Sequence, residues 1–308
     1  MIIAVEIILV HFDTKEKYKE LTLMQKEFDE ALPYSAYEEK GYLNQDFKFF
    51  HIKSREKFDI PYHYHDFHKL ILVMGGNTKY LIEGREYELL PFDFVLINRF
   101  LIHKPVAEDT AEYDRMIIYL SDDFLRKYGL LDAFEKAHEI GSYVVRFPGD
   151  ISAGIFEQFK AIEDDLAKEK TDYAGELLTR IDVLKSIISF NKACIAEDFG
   201  FKPEARYNRK VIELITYIND NLGNDLSIDF LADHFYMSKY HMMRIFKNET
   251  GYSIHQYISE KRILWSRNLI LSGVPATTAC LECGFKDYSS FSRAFKNQLG
   301  KLPSEIRI

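Results

Sequence analysis

At 308 residues and 47% apolar content, the chain is long enough for two or three packed modules, and 20 Tyr with 24 Phe make their interiors aromatic. Three cysteines, Cys194, Cys280 and Cys283, exclude a disulfide scaffold and favour a reducing compartment. The formal charge of −8 is unevenly spread: residues 201–308 hold 15 Lys and Arg against 11 Asp and Glu, a balance of +4, which leaves −12 for the rest and excludes that remainder as a polyanion-binding surface.

The first ten residues, Met1 to Val10, are apolar but lack a basic lead, contain Glu6 and stop at His11. They are too short to span a bilayer and read as a buried strand rather than an export signal, so a cytoplasmic protein without a membrane partner is expected. An acidic-basic helix follows near Lys15 to Ala31, and residues 1–45 are expected to form an N-terminal arm that touches ligand or partner.

Residues 46–125 have a different texture. Phe47–Ile52, Lys69–Met74, Thr78–Ile82, Phe94–Ile97 and Tyr113–Leu120 are short β-rich runs, punctuated by turns at Gly75-Gly76-Asn77, Glu83-Gly84-Arg85 and Pro91-Phe92-Asp93. Many short strands at regular spacing predict an antiparallel barrel or jelly roll. Alternation places His63 and His65 on one face of an extended segment, and His103 follows the fourth strand. This arrangement resembles a cupin. The resemblance implies a ligand-binding barrel, with His63, His65 and His103 joined by Tyr80, Tyr113 and Arg115 as the polar groups that a small molecule in an aromatic cavity needs. The rival implication is a metal-dependent cupin enzyme or a metal sensor with a DNA-binding appendage. However, the carboxylate usual in metal-binding cupins four residues past the second histidine is Lys69, and the usual glycine beside Pro91 is Phe92. A cation in that place opposes a divalent ion, so no metal, no other cofactor and no catalytic residue are expected.

Within 126–200, the apolar spacings of Ile155-Phe156-Phe159-Ile162-Leu166 and Leu177-Leu178-Ile181-Leu184-Ile187-Ile188 predict a helical hairpin interrupted at Lys168 to Asp172. It either packs on the barrel or forms a dimer contact. Glu197 to Asn208 reads as a linker.

The last third carries a duplication. Arg244-Ile245-Phe246-Lys247-Asn248-Glu249-Thr250-Gly251 returns, 49 positions on, as Arg293-Ala294-Phe295-Lys296-Asn297-Gln298-Leu299-Gly300. Ser238 and Asp287 stand at equivalent places and can cap the start of each helix. The run Leu226 to Phe235 and the run Thr277 to Cys283 each predict a preceding helix, joined by a Tyr236-Met237 turn in one copy and by Gly284-Phe285-Lys286 in the other. Two helix-turn-helix units result. Met242, Ile245 and Phe246 share one side of the first copy, and Phe291, Ala294 and Phe295 that of the second. Ser238, Lys239, Tyr240, Met243, Arg244 and Lys247, with Tyr288, Ser289, Ser290, Arg293 and Lys296, face outward, where arginine can pair with guanine and lysine with phosphate. The alternative for each stripe is a solvated helix face. Cys280-x-x-Cys283 lacks a second ligand pair for zinc and reads as ordinary packing.

From about Arg209 to Arg307 these residues resemble the DNA-binding domain of AraC/XylS-type transcriptional regulators. The resemblance is carried by Gly251-Tyr252-Ser253-Ile254, Gln256-Tyr257-Ile258, Arg262-Ile263, Cys283 to Lys296, Gly300 and Pro303-Ser304. It implies two base-reading helices at Ser238 to Lys247 and Asp287 to Lys296, with Tyr240, Met243, Arg244, Ser289, Ser290 and Arg293 facing bases. Cupin-like sensors often precede this domain in the same regulators. The expected architecture is α+β: an N-terminal cupin-like antiparallel β-barrel, a helical hairpin and a C-terminal all-α domain (201–308) with two helix-turn-helix units. The expected activity is sequence-specific binding of double-stranded DNA, modulated by a small-molecule effector such as a sugar or other metabolite. A homodimer is expected, and contact with RNA polymerase is compatible with this reading.

Overall fold

The computed structural model describes residues 43, 45–55, 58–59, 61–107, 110–167, 174–196, 200–203 and 206–306. The N-terminal strand and helix expected within residues 1–45, the Lys168 to Asp172 interruption and Arg307 lie outside the described residues.

Among the described residues, ten strands form two five-stranded antiparallel sheets. They are β1 (Phe47–Ser54), β2 (Phe58–Asp59), β3 (His68–Gly75), β4 (Thr78–Ile82), β5 (Arg85–Glu88), β6 (Asp93–Ile97), β7 (His103–Ala107), β8 (Tyr113–Leu120), β9 (Val144–Arg146) and β10 (Arg206–Tyr207). The first sheet runs β1-β8-β3-β6-β9 and the second β10-β5-β4-β7-β2. Along β3, His68, Leu70 and Leu72 turn one way and Lys69, Ile71 and Val73 the other, as the pleat requires. The register places Lys69 beside Tyr119 and Val73 beside Arg115 on β8, while Ile82 on β4 faces His103 on β7. Phe92, where cupins usually keep glycine, holds φ +66.

Helices cover the outer face of the first sheet. These are α1 (Asp122–Tyr128), α2 (Asp132–Ile140), α3 (Gly149–Ala167) and α4 (Gly175–Ile195). Phe49 meets Phe159 of α3 at 6.2 Å between ring centroids, and Phe94 meets Phe190 of α4 at 5.2 Å, so the α3–α4 hairpin packs on the sheet through aromatic edges. The strands β9 and β10 come from beyond residue 125. Of the expected linker, Phe201 bridges Val145 and Arg206–Tyr207 pairs with β5, which lays the described part along the barrel. Their sequences are too short to show a period of two.

The C-terminal helices are α5 (Arg209–Asp220), α6 (Ile228–His234), α7 (Lys239–Thr250), α8 (Ile254–Leu271), α9 (Ala276–Glu282) and α10 (Tyr288–Leu299). Their core holds Met242, Phe246, Phe291 and Phe295, together with Tyr64 and Ile102 from the barrel. One hydrophobic interior therefore includes residues of both parts.

Candidate nucleic-acid interface and effector site

Each helix-turn-helix unit is built from local rules. The Ser238 side chain accepts from the His241 N–H and Asp287 from the Ser290 N–H, capping α7 and α10, and each helix ends on a left-handed glycine, Gly251 or Gly300. The turns differ. Gly284 (φ +81) makes the bend in the second unit, but in the first the left-handed residue is Tyr236 (φ +52), which is 95% exposed. Because Tyr236 and Gly284 are 48 apart while the caps Ser238 and Asp287 are 49 apart, the second turn contains one extra residue, Lys286.

The long helix α8 ties the units together through one guanidinium. Arg262 donates to the carbonyls of Leu222 (2.8 Å), Asn224 (2.7 Å) and Gly284 (2.9 Å). A Cβ at Gly284 would lie 2.7 Å from Arg262 Nη2 and 2.8 Å from the Leu222 carbonyl. Gly284→Ala is therefore expected to cost at least about 1–2 kcal/mol in chemical denaturation, from the left-handed backbone alone. An unchanged midpoint would count against this clamp.

All eleven residues singled out for DNA, from Ser238 to Lys247 and Tyr288 to Lys296, are exposed, and Met242, Phe246, Phe291 and Phe295 are buried behind them. Lys239 pairs with Asp229 on α6, which positions its ammonium at the start of the outward face. Arg244 and Arg293 point to solvent, with only weak contacts to His241 Nδ1 and the Ser289 carbonyl at 3.4 Å each. Both guanidiniums are thus available to a ligand. Cys280 and Cys283 are buried free thiols, and burial raises both pKa values, that of Cys283 to about 12.

Inside the barrel, the residues expected to bind ligand come together. His63 lies 4.5 Å and His65 5.3 Å from His103 between ring centroids, and the ligating atoms of the three all fall within 4.8 Å of one another. Their Nδ1 atoms are partly committed: His63 donates to the Pro61 carbonyl and His103 to that of Leu101, both at 2.8 Å. Burial, reinforced by the charge of Lys69, pushes His63 down to about 4 and holds His65 and His103 well below the usual imidazole value. Tyr80 and Tyr113 are buried and interact with one another, and Arg115 stacks 4.1 Å over the Tyr113 ring.

Two members of this cluster were not among the expected ligand residues. Lys69 Nζ sits 2.6 Å from His65 Nε2 and 5.1 Å from the centroid of Tyr119, and Tyr119 in turn packs 4.4 Å from Phe67. Strand alternation places Lys69 inward and so could have identified it. Three imidazoles are a donor set that zinc can use, but the ammonium of Lys69 stands against one of them, so a divalent ion would meet positive charge there.

Several barrel residues reach the helical domain. On either side of His63, the Tyr62 hydroxyl donates to the Glu249 carbonyl at the end of α7 (2.7 Å), and Tyr64 accepts from Gln298 at the end of α10 (3.0 Å). At the β4–β5 turn, the 2% exposed carboxylate of Glu83 accepts from Ile102 N–H (3.0 Å), from the Tyr257 hydroxyl (2.7 Å) and from Lys261 Nζ (3.1 Å), the last two on α8. Lys261 also donates to the Phe100 carbonyl at 2.9 Å. The barrel thus holds the C-terminal ends of α7 and α10 and the face of α8 that carries Tyr257 and Lys261.

Residues 231–308 match a helix-turn-helix domain family, and residues 48–175 match the AraC-like ligand binding domain. The chain is an AraC-family transcription regulator. The HTH-type transcriptional activator RhaS of Escherichia coli is 21% identical over 252 residues, covering 81% of this chain and 88% of RhaS. Among solved structures, ToxT of Vibrio cholerae covers 85% of this chain and 97% of its own at 13% identity, with a TM-score of 0.34. The C-terminal domain of AraT, a response regulator from Geobacillus stearothermophilus, covers 33% of this chain and 87% of its own at 26% identity, with a TM-score of 0.33. Superpositions this loose add nothing to the assignment. Among the described residues, no helix of this AraC-family regulator is long and apolar enough to cross a membrane.

Proposed function

We propose that this regulator, as a cytoplasmic homodimer, binds one face of duplex DNA by inserting α7 and α10 into successive major-groove segments, under control of a small molecule held between its two sheets. The observation that carries the reading is the pair of capped helices with exposed arginine and lysine on their outward faces, braced by Arg262. Arg244 and Arg293 read bases, with Tyr240, Met243, Ser289 and Ser290 beside them, while Lys247 and Lys296 meet phosphates. No step of this function requires catalysis. RNA polymerase is a further partner of such a regulator.

The route from effector to DNA runs through Tyr62-His63-Tyr64 and Glu83. His63 belongs to the imidazole cluster, and its two neighbours hold the C-terminal ends of the two DNA-reading helices. A ligand that favours one placement of this segment shifts the relative placement of α7 and α10. Titration of the full-length protein on matched and scrambled duplexes tests the DNA reading. A His63→Ala variant that binds both as the wild type does, with or without any effector, would remove the proposed route.

The dimer reading rests on α4. Ile181, Ile188 and Ile195 recur every seven residues on that helix and are exposed, as is Leu177. A heptad of aliphatic side chains is a seam for a second copy of the same helix. Ile188→Glu is expected to shift the protein from dimer to monomer in sedimentation velocity without changing its circular dichroism. A dimer that persists at micromolar concentration would place the contact elsewhere.

A further inference from the structure

The interior between the sheets narrows the chemistry of the effector. Lys69 is buried, and among the described residues its ammonium meets an imidazole nitrogen and the faces of Tyr119 and Phe67, at 5.1 and 5.8 Å, but no carboxylate. Arg115, a second cation, shares the inward face of the same sheet and acts on Lys69 through its charge. A buried ammonium whose described neighbours are neutral, with a second positive charge near it, favours the arrival of an anion. Burial, with the charge of Arg115, pushes Lys69 down to about 7, as expected for an ammonium without a counter-charge beside it.

The imidazoles supply a different demand. A carbonyl oxygen only accepts, so the contacts to Pro61 and Leu101 place the ring protons of His63 and His103 on Nδ1. In the neutral rings each Nε2 is then a lone pair, and that of His103 is buried with no partner. The three rings each bring a nitrogen within 4.8 Å of the others, and an unprotonated Nε2 requires a donor, which a carboxylate lacks and hydroxyl groups provide.

We propose that the barrel takes a polyhydroxylated carboxylate, in chemical class a sugar acid, whose carboxylate pairs with Lys69 Nζ and whose hydroxyls donate to Nε2 of His63 and His103. This rests on the effector reading above and specifies its ligand. A neutral sugar would meet the imidazoles but leave the ammonium unpaired. A plain alkyl carboxylate would pair with Lys69 but leave His103 unmet, and a divalent metal would add positive charge beside Lys69.

Thermal shift and calorimetry on the full-length protein test it, with a panel of aldonates and uronates, the matching neutral sugars, butyrate, and Zn²⁺ alone. One or more sugar acids are expected to stabilise the protein while its neutral counterpart, butyrate and Zn²⁺ at equal concentration do not. Lys69→Gln, which removes a buried charge and keeps a polar end, is expected to weaken that binding by roughly tenfold or more. Equal stabilisation of wild type and Lys69→Gln by neutral sugars would overturn the acid class while leaving the effector reading intact. Stabilisation by Zn²⁺ alone would make the imidazoles a metal site and overturn the proposal. Silence from the entire panel would overturn it too, whereas the effector reading falls separately, through unchanged DNA binding by His63→Ala.

Discussion

Replacing Glu83 by alanine is expected to lower the stability of the full-length protein by about 3–5 kcal/mol, the typical loss when one partner of a buried ion pair is removed. Lys261, whose side chain is 12% exposed, would keep its ammonium in the interface with the Phe100 carbonyl and the Tyr257 ring but no carboxylate among the described residues, and the Ile102 N–H would lose its side-chain acceptor. The Tyr257 hydroxyl would retain only Asn219 Oδ1, at 3.2 Å. Since the contacts of Glu83 with Tyr257 and Lys261 join the barrel to α8, the loss should fall on the docking of the two parts more than on either core. Urea denaturation is therefore expected to separate into two transitions in Glu83→Ala. Glu83→Gln, which still accepts hydrogen bonds but does not neutralise Lys261, should fall between the variant and the wild type. A loss below about 1 kcal/mol, the range of an ordinary surface pair, would show that Glu83 does not hold the domains together.

Arg244→Ala and Arg293→Ala are each expected to cost about 1–3 kcal/mol of binding on a preferred duplex and much less on a scrambled one. The two sites lie on separate helices with no shared partner, so the double variant should lose about the sum of the single losses. Lys247→Ala and Lys296→Ala should instead weaken all duplexes alike and lower the salt dependence of binding, because a phosphate contact releases a counterion whatever the base sequence. Equal losses on preferred and scrambled duplexes for Arg244→Ala would assign that residue to the backbone instead.

The elements that could be read in the sequence are those with a period and a boundary. β3, β4, β6 and β8 show alternation or an apolar run between glycine-bearing turns, and α7 and α10 carry a cap at one end and a glycine at the other. β7 was hidden by Pro105, which contributes no N–H to the ladder although it sits opposite Tyr80. β9 and β10, of three and two residues, exist because a neighbouring strand offers a partner, not because their own pattern demands it. At the first turn the left-handed position is filled by Tyr236, so no glycine marks it.

The same division holds at the sites. The outward face of each DNA-reading helix follows from helical spacing, and the shared face of His63 and His65 from strand alternation, whereas His103, Tyr80, Tyr113 and Arg115 were singled out by the cupin resemblance and by the donors that a polar ligand needs. Lys69 was visible only as an obstacle to a metal; its distance from His65 gives it a positive role in the interior. The Glu83–Tyr257–Lys261 contact joins residues 174 and 178 positions apart, and nothing local distinguishes a buried glutamate at a turn from a solvated one.

The central claim is that α7 and α10 read one face of a single duplex together. Selection of a preferred duplex from a random pool, followed by hydroxyl-radical footprinting, tests it most directly. Two protected segments on one face are expected, about one helical turn or 34 Å apart, with Arg244→Ala relaxing base preference in one and Arg293→Ala in the other. A single protected segment, or two whose base preferences survive both substitutions, would contradict it.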